Sequence, residues 1–347
     1  MRIESLKTLN ALIAFDFDNA RYSGGGTRYA SDVTKHEASL LARAMTYKFG
    51  AIGLPAGGAK GVVRGKPAER NELMRRYCEE IRQLVESGQF GTGPDLGTCE
   101  ADFAPLRDQS QPPSVMAGNI GGVPIEDVIT GFGVVIAVET ARGSLEDSTF
   151  AIEGFGKVGG GVAREAVRRG ARVVAVSTLE GCVFDPSGLD VELMLGLRRE
   201  HGDAVVRHVG GDFSSSPASL WDAQADILVP GARTGVITPK VAERLRIPWI
   251  APAANAPYVR EALEVLRQRR IRYLPDFVCN AGATIGYTSR PGDSGELFRV
   301  VEDKISSLMG EASADPRGPF EGACAIAERY IETWRGPEGM PEGPPLA

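Results

Sequence analysis

Two ionisable residues occupy surroundings built from small side chains. Lys60 lies in GLPAGGAKGVV, Gly53 to Val63, among four glycines and two alanines, with no acid close by in sequence. Glycine lets another molecule come within contact distance of the backbone, so a lysine placed there is a candidate for direct contact with a ligand. The competing reading is a glycine-rich turn carrying an exposed lysine. Asp95 lies in GTGPDLGT, Gly91 to Thr98, a second run of small residues. A half-buried lysine beside a carboxylate shifts its pKa readily, as general acid–base work near neutral pH requires. Two unrelated surface turns would give the same pattern.

A third segment points to a phosphate. In STFAIEGFGKVGGGVAREAVRRGARVVAVS, Ser148 to Ser177, a β-rich run ends at Gly154 and leads into Gly154-Phe155-Gly156-Lys157-Val158-Gly159. A stretch with helical spacing and a second β-branched run follow. The context is strand, turn, helix, strand, in which three glycines at this spacing serve a tight turn, close approach of a pyrophosphate and helix packing on the strand. The unpaired amides of the helix N-terminus then face the phosphates.

These residues need a frame. Ala225–Ala232, Pro248–Asn255 and Ile271–Asn280 read as further strands, with TPKVAERLR and YVREALEVLRQRR as helices between them. Such alternation predicts a doubly wound parallel sheet, whose ligands bind outside the carboxyl ends of the strands. The earlier part of the chain differs, with helices over 36–53 and 67–87 flanking the Lys60 segment. A turn-rich stretch, RDQSQPPSVMAGNIGGVP, puts the domain change near residues 108–130. From Glu302 the pattern is helical again, and the tail GPEGMPEGPPLA is expected to be disordered, having little to bury.

Composition narrows the field. The 347 residues suffice for two domains, with 43% hydrophobic and 24% charged residues. No run approaches the roughly 18 apolar residues of a membrane span, and Asp16 and Asp18 interrupt the N-terminal apolar patch, so a cytoplasmic protein without a membrane partner is expected. Five scattered cysteines and three histidines give no disulfide framework and no metal site. A net charge of -6 argues against a nucleic-acid partner.

The motifs GGGTRYA, MTYKFGAIGLPAGGAKGVV, GPDLGT, ITGFGV, GFGKVGGGVA, ADILVPGA, AANAP and PDFVCNAGA, spread over nearly the whole chain, resemble those of the glutamate/leucine/phenylalanine/valine dehydrogenases in order and spacing. The branch closest in character is leucine/phenylalanine dehydrogenase. The resemblance implies an α/β fold with an N-terminal α/β substrate and oligomerisation domain, 1–128, joined by C-terminal helices at about 305–335. A Rossmann-type domain over 129–304 and a free tail at 336–347 complete it. It implies reversible oxidative deamination of an L-amino acid to a 2-oxo acid and ammonia with NAD or NADP, in a homo-oligomer, at a cleft between the domains.

By the same resemblance Lys60 is the catalytic lysine and Asp95 the proton shuttle. Lys48 holds the substrate α-carboxylate, and Gly24, Gly25, Gly93, Thr284 and Tyr287 line the substrate site. Asn280 and Asn255 lie near the nicotinamide and the substrate, and Thr130 on the carboxamide side. Gly154, Phe155, Gly156, Lys157, Val158, Gly159, Ser177, Thr178, Gly231, Ala232 and Ala254 complete the dinucleotide contacts. The glycines around Lys60 are expected to let substrate and nicotinamide close over it.

The chain departs from the family pattern at three places. Glutamate dehydrogenases carry a lysine where Gly24 stands, so the grip on a side-chain carboxylate is missing and an apolar or aromatic substrate is expected. The family's E-G-A-N reads Pro252-Ala253-Ala254-Asn255, and NAGG ends in Ala283. Ser177 and Thr178 stand where NAD-selective enzymes carry an acid, and no arginine cluster adjoins them, so neither cofactor is selected. The alternatives are a specialised-pathway substrate and an inactive dinucleotide-binding regulatory homologue.

Overall fold

The computed structural model describes residues 1–107, 114–120 and 122–347. Within the expected domain change near 108–130, residues 108–113 and 121 therefore lie outside the described residues. The chain divides into two compact units, Met1–Pro113 with Cys324–Pro345, and Ser114–Ala323 with Leu346–Ala347. The expected boundary at 128 is thus too late. None of the helices among the described residues is long and apolar enough to cross a membrane.

The first unit contains β1 (Arg2–Ser5), β2 (Ala11–Phe15), β3 (Ser23–Gly24), β4 (Thr27–Tyr29), α1 (Lys35–Ile52), β5 (Gly57–Val63), α2 (Arg70–Glu86) and β6 (Phe90–Gly91). The sheet runs β1-β2-β5-β3-β6, with β4 also pairing β5. Strand β5 is buried along its whole length. Its antiparallel register with β2 sets Lys60 opposite Ala14, and its parallel register with β4 sets Gly61 opposite Thr27. Thr34 caps α1 by accepting the Glu37 amide, and Gly53, at φ 76°, ends it in the left-handed conformation.

Lys60 therefore belongs to a buried strand, not to a turn. The glycines beside it also serve a different purpose from the one expected. A Cβ on Gly58 would lie 1.9 Å from the Ala42 carbonyl oxygen of α1, and one on Gly61 would lie 2.2 Å from the Thr27 hydroxyl. The protein itself fills the space those side chains would take. Glycine here allows α1 and β4 to press against β5, which buries the lysine between them.

The second unit contains the antiparallel pair β7 (Asn119–Ile120) and β8 (Val123–Pro124), then α3 (Ile125–Arg142), β9 (Thr149–Glu153), α4 (Lys157–Arg168), β10 (Arg172–Thr178), β11 (Gly181–Phe184), α5 (Val191–His201) and β12 (Asp212–Ser214). Next come β13 (Ile227–Pro230), α6 (Pro239–Arg244), β14 (Trp249–Ile250), α7 (Arg260–Gln268) and β15 (Arg272–Tyr273). Then follow α8 (Asp276–Cys279), α9 (Gly282–Ser289) and α10 (Ser294–Ser313), and α11 (Pro319–Arg335), whose residues from Cys324 onward belong to the first unit. Its sheet order is β12-β11-β10-β9-β13-β14-β15. Five strands, β10 to β15 through β9, are parallel, and β11 and β12 extend the sheet antiparallel. The chain leaves β9 toward β10 and later returns to its other side as β13, which makes the end of β9 the topological switch point.

Three expectations change. The strand read over 271–280 ends at Tyr273, because Pro275 starts the short helix α8. Helix α10 belongs to the second unit, and only residues from Cys324 onward join the first. The tail, expected to be disordered, is held by backbone contacts: Arg43 donates to the Gly343 carbonyl at 3.1 Å, and the Ala347 amide donates to the Tyr258 carbonyl at 2.9 Å. Backbone groups supply what its side chains lack.

Candidate functional site

In the first unit, four charged residues form a chain. Lys60 Nζ lies 2.8 Å from Asp95 Oδ2, Arg28 Nε donates to the same oxygen at 2.8 Å, and Arg28 Nη1 donates to Glu37 Oε1 at 2.8 Å. Arg28 comes from β4, Glu37 from the first turn of α1 and Lys60 from β5. Asp95 is supplied by a loop pinned through Thr98, whose hydroxyl accepts the Asp95 amide at 2.8 Å and lies 2.9 Å from the Thr27 carbonyl, to which it donates. Sequence reasoning found Lys60 and Asp95 but missed Arg28 and Glu37. The signal for Arg28 was the arginine of GGGTRYA.

Burial sets the electrostatics. Lys60 is 2% exposed, and loss of water pushes its pKa below the ordinary lysine value, with Asp95 opposing that shift. Burial alone would raise Asp95, but Lys60 and Arg28 together hold its carboxyl well below the usual range. The resting cluster therefore contains a carboxylate clamped between two cations. Lys48, 4% exposed on α1, lies in the same unit.

Gly24 is tightly enclosed. A Cβ there would stand 2.9 Å from the Phe49 ring and 3.1 Å from the Tyr22 hydroxyl. Gly25 is tighter still, with a Cβ there 1.8 Å from the Ala59 carbonyl oxygen, whereas a Cβ on Gly93 would meet nothing within 4 Å. Thr284 and Tyr287 lie one turn apart on α9 of the second unit.

In the second unit, the loop from β9 to α4 has the form its sequence predicts. Gly154 adopts φ 82°, a conformation costly for any residue with a side chain. A Cβ on Gly159 would fall 1.9 Å from the Gly154 carbonyl oxygen, so this glycine is needed for the loop to pack on the helix. At Gly156, the N-cap of α4, the only neighbour of such a Cβ would be the Arg198 guanidinium at 3.9 Å, and no side chain caps the first amides. Open space above uncapped helix amides fits a pyrophosphate. Phe155 is buried, and the Lys157 ammonium turns to Glu126 and Asp127 of α3 at 2.6 and 3.1 Å.

The remaining sequence-predicted residues surround the strand ends. Ser177 and Thr178 finish β10, both buried, with the Thr178 hydroxyl donating to the Asp203 carbonyl at 2.6 Å. Gly231 and Ala232 follow β13, and their amides turn to the Glu153 carboxylate, the Ala232 one at 3.3 Å. Asn280 donates to Asn255 Oδ1 at 3.0 Å and to the Ala253 carbonyl at 3.1 Å, with Ala254 between the two acceptors in sequence. Thr130 sits on α3. Glu153 and Arg198 were not singled out from the sequence. One precedes the glycine motif, and the other arrives from a separate helix.

Residues 2–111 match the family model described as Glu/Leu/Phe/Val dehydrogenase, dimerisation domain, and residues 121–288 match that of Glutamate/Leucine/Phenylalanine/Valine dehydrogenase. Glutamate dehydrogenase A2 of Halobacterium salinarum is 35% identical over 341 residues, covering 92% of this chain and 80% of its own. The glutamate dehydrogenase of Thermotoga maritima is 32% identical over 326 residues, covering 88% and 77%. In fold, the chain is similar to the Leu-bound hetero-hexameric glutamate dehydrogenase of Thermus thermophilus, with a TM-score of 0.77, 24% identity and coverage of 95% and 88%. It is also similar to the L-tryptophan dehydrogenase of Nostoc punctiforme, with a TM-score of 0.62, 23% identity and coverage of 96% and 97%. The chain belongs to the glutamate/leucine/phenylalanine/valine dehydrogenase family, amino acid dehydrogenases that act on CH–NH2 donors with NAD or NADP.

Proposed function

We infer that the protein catalyses reversible oxidative deamination of an apolar or aromatic L-amino acid to its 2-oxo acid and ammonia. A dinucleotide held at the loop of Gly154, Gly156 and Gly159 would supply the acceptor for the hydride of the substrate Cα. That transfer requires a neutral amine, so a base must first remove a proton. Asp95 is the residue assigned, although in the resting cluster it is too acidic to hold one. When the Lys60 ammonium turns to the substrate, Asp95 keeps only Arg28, and burial then lifts its pKa toward a range where it accepts the proton. Lys60 in turn stabilises the oxyanion that forms as water adds to the substrate imine. The depressed pKa of Lys60 lets it give up a proton more readily than a surface lysine would.

Lys48 is assigned the substrate α-carboxylate. Gly24, Gly25 and Gly93, with Thr284 and Tyr287, are assigned to the substrate side chain. In the second unit, the hydrogen-bonded Asn255 and Asn280 are assigned to the nicotinamide and substrate, and Thr130 to the carboxamide. The loop glycines with Phe155, Lys157 and Val158, and with Ser177, Thr178, Gly231, Ala232 and Ala254, are assigned to the dinucleotide. A homo-oligomer agrees with the match to a dimerisation domain and with the hexameric assembly named for the Thermus thermophilus protein.

The observation that carries the side-chain preference is the enclosure of Gly24 by Phe49 and Tyr22. A side chain at that position would press into the Phe49 ring and the Tyr22 hydroxyl, so the grip on a second carboxylate is absent for steric as well as chemical reasons. A carboxylate buried there without a cation is costly. The test is a screen of the twenty L-amino acids with NAD and with NADP at alkaline pH, following reduced cofactor by absorbance. Leucine, valine, phenylalanine or tryptophan should lead, with glutamate slower by about a thousandfold in kcat/KM. Glutamate turning over fastest would overturn the assignment of Gly24.

A further inference from the structure

Arg198 has no role in the reading above, yet its placement is specific. It lies in the last turn of α5, a helix fixed against α4 by two contacts. Arg164 of α4 holds Glu192 through two hydrogen bonds of 2.9 and 3.1 Å, and Gly160 leaves the space that Leu195 occupies, where a Cβ would stand 2.9 Å from it. One turn beyond Leu195, the Arg198 guanidinium reaches the open side of Gly156, 3.9 Å from where that residue's Cβ would be. Its Nε is buried and has no hydrogen-bond partner. Arg198 forms no ion pair with a carboxylate among the described residues, whereas Arg164, Arg207 and Arg244 each do. A guanidinium brought to a phosphate loop with a buried donor left over is arranged for an anion from outside the chain.

A dinucleotide offers two such anions. The pyrophosphate is received by the uncapped amides of α4. The second is the 2′-phosphate that distinguishes NADP from NAD, carried by the ribose at the end of the second nucleotide strand. That end is β10, which finishes in the short hydroxyl side chains of Ser177 and Thr178 rather than in an acid, and the Glu180 carboxylate just beyond is paired with Arg207 at 2.8 Å. The helix bearing Arg198 continues directly into the turn Gly202–Arg207, and Thr178 bonds that turn through the Asp203 carbonyl. Arg198 is thus held on the β10 side of the loop.

We propose that Arg198 reads the 2′-phosphate and makes NADP the preferred cofactor. The proposal rests on the dinucleotide reading of the loop and sharpens it. The planar guanidinium supplies paired donors to phosphate oxygens, which an ammonium gives only as a point charge. The arginine that sequence reading sought next to Ser177 and Thr178 comes instead from the following helix.

The test is calorimetric titration of the full chain, without substrate, with NADP, NAD, 2′,5′-ADP and 5′-AMP. Arg198→Gln should weaken NADP and 2′,5′-ADP by about 30-fold and NAD and 5′-AMP by less than about threefold. Arg198→Lys should retain part of the NADP affinity, and an unchanged melting temperature for both variants excludes a folding effect. Equal losses for NADP and NAD would place the guanidinium on the pyrophosphate and overturn the proposal, as would no loss for either. Wild-type protein that binds neither dinucleotide would overturn the reading of the loop itself. NAD binding with NADP indifferent to Arg198 would overturn only the present inference.

Discussion

The acid–base cluster of the first unit and the phosphate loop of the second handle charge in opposite ways. In the cluster every charge is answered internally: Glu37, Arg28, Asp95 and Lys60 form an unbroken line of contacts at 2.8 Å. At the loop, charge is left over. Arg198 has a buried donor without a partner, and Glu153 is answered only by backbone amides. The first arrangement stores proton affinity, since Lys60 and Asp95 shift each other's pKa and so depend on where the other points. The second pairs open space at Gly156 with the uncapped amides of α4, an arrangement that suits an anion. Removing a side chain should therefore damage the cluster, and adding one should damage the loop.

The largest effect is expected in the cluster. Lys60→Ala removes the group that stabilises the oxyanion and also leaves Asp95 with one cation. Turnover should fall about 1,000-fold, in the range of a lost electrostatic or acid–base group. Dinucleotide dissociation constants should stay within about threefold of wild type. Steady-state rates and calorimetric titration of the same preparation check both. A variant that lost cofactor binding as well would show that the two sites are not separable in this way.

The two regions also differed in how far the sequence disclosed them. The loop was legible because its function lies in spacing: three glycines between a strand and a helix have a geometric meaning that does not depend on the rest of the fold. Lys60 and Asp95 were visible by their small neighbours, but the reason inferred for those neighbours was wrong. The glycines admit α1 and β4, not a ligand, and only the register of β5 with β4 and the approach of α1 reveal that. Arg28 and Glu37 were missed because their partnership exists only once β4, α1 and the Asp95 loop meet. Arg198 was missed for the same reason, and Glu153 because strand-end acids are common. The strand misread at 274–280 and the tail misread as free both reflect backbone hydrogen bonds, to which side-chain patterning is blind.

A smaller effect should follow from adding one methyl group to the loop. In Gly159→Ala the new Cβ would stand 1.9 Å from the Gly154 carbonyl oxygen, a backbone atom that cannot swing aside. The turn at Gly154 must open, shifting the amides that face the pyrophosphate. Both NAD and NADP should weaken by about 30-fold, alike because the pyrophosphate is common to both. An intact Lys60–Asp95 pair would show as an unchanged pH dependence of turnover at saturating cofactor. If affinity for both dinucleotides were preserved, the loop would be more yielding than its packing implies.

The smallest effect concerns Glu153, the acid that ends β9 just before the phosphate loop. Burial pushes its carboxyl up to about 7, although the Ala232 and Gly231 amides pull in the other direction. With the folded pKa raised above the ordinary 4.5, folding disfavours the charged form. Below pH 4.5 both folded and unfolded chains carry the proton and nothing is lost. The cost grows between 4.5 and 7 and stays constant above. Glu153→Gln keeps an oxygen for the two amides but has no charge to desolvate, so it should stabilise the protein increasingly from pH 5.5 to pH 8. The full shift corresponds to about 3 kcal/mol, and solvent screening at this partly accessible site reduces the expected gain to about 1–2 kcal/mol at pH 8. Thermal midpoints of the two proteins at several pH values decide it. Curves that rise in parallel would show that Glu153 is ionised in the folded state, and then a fixed negative charge would stand beside a loop arranged to bind phosphate. The widening gap is the outcome expected, because burial with only backbone amides as partners makes the charged form costly.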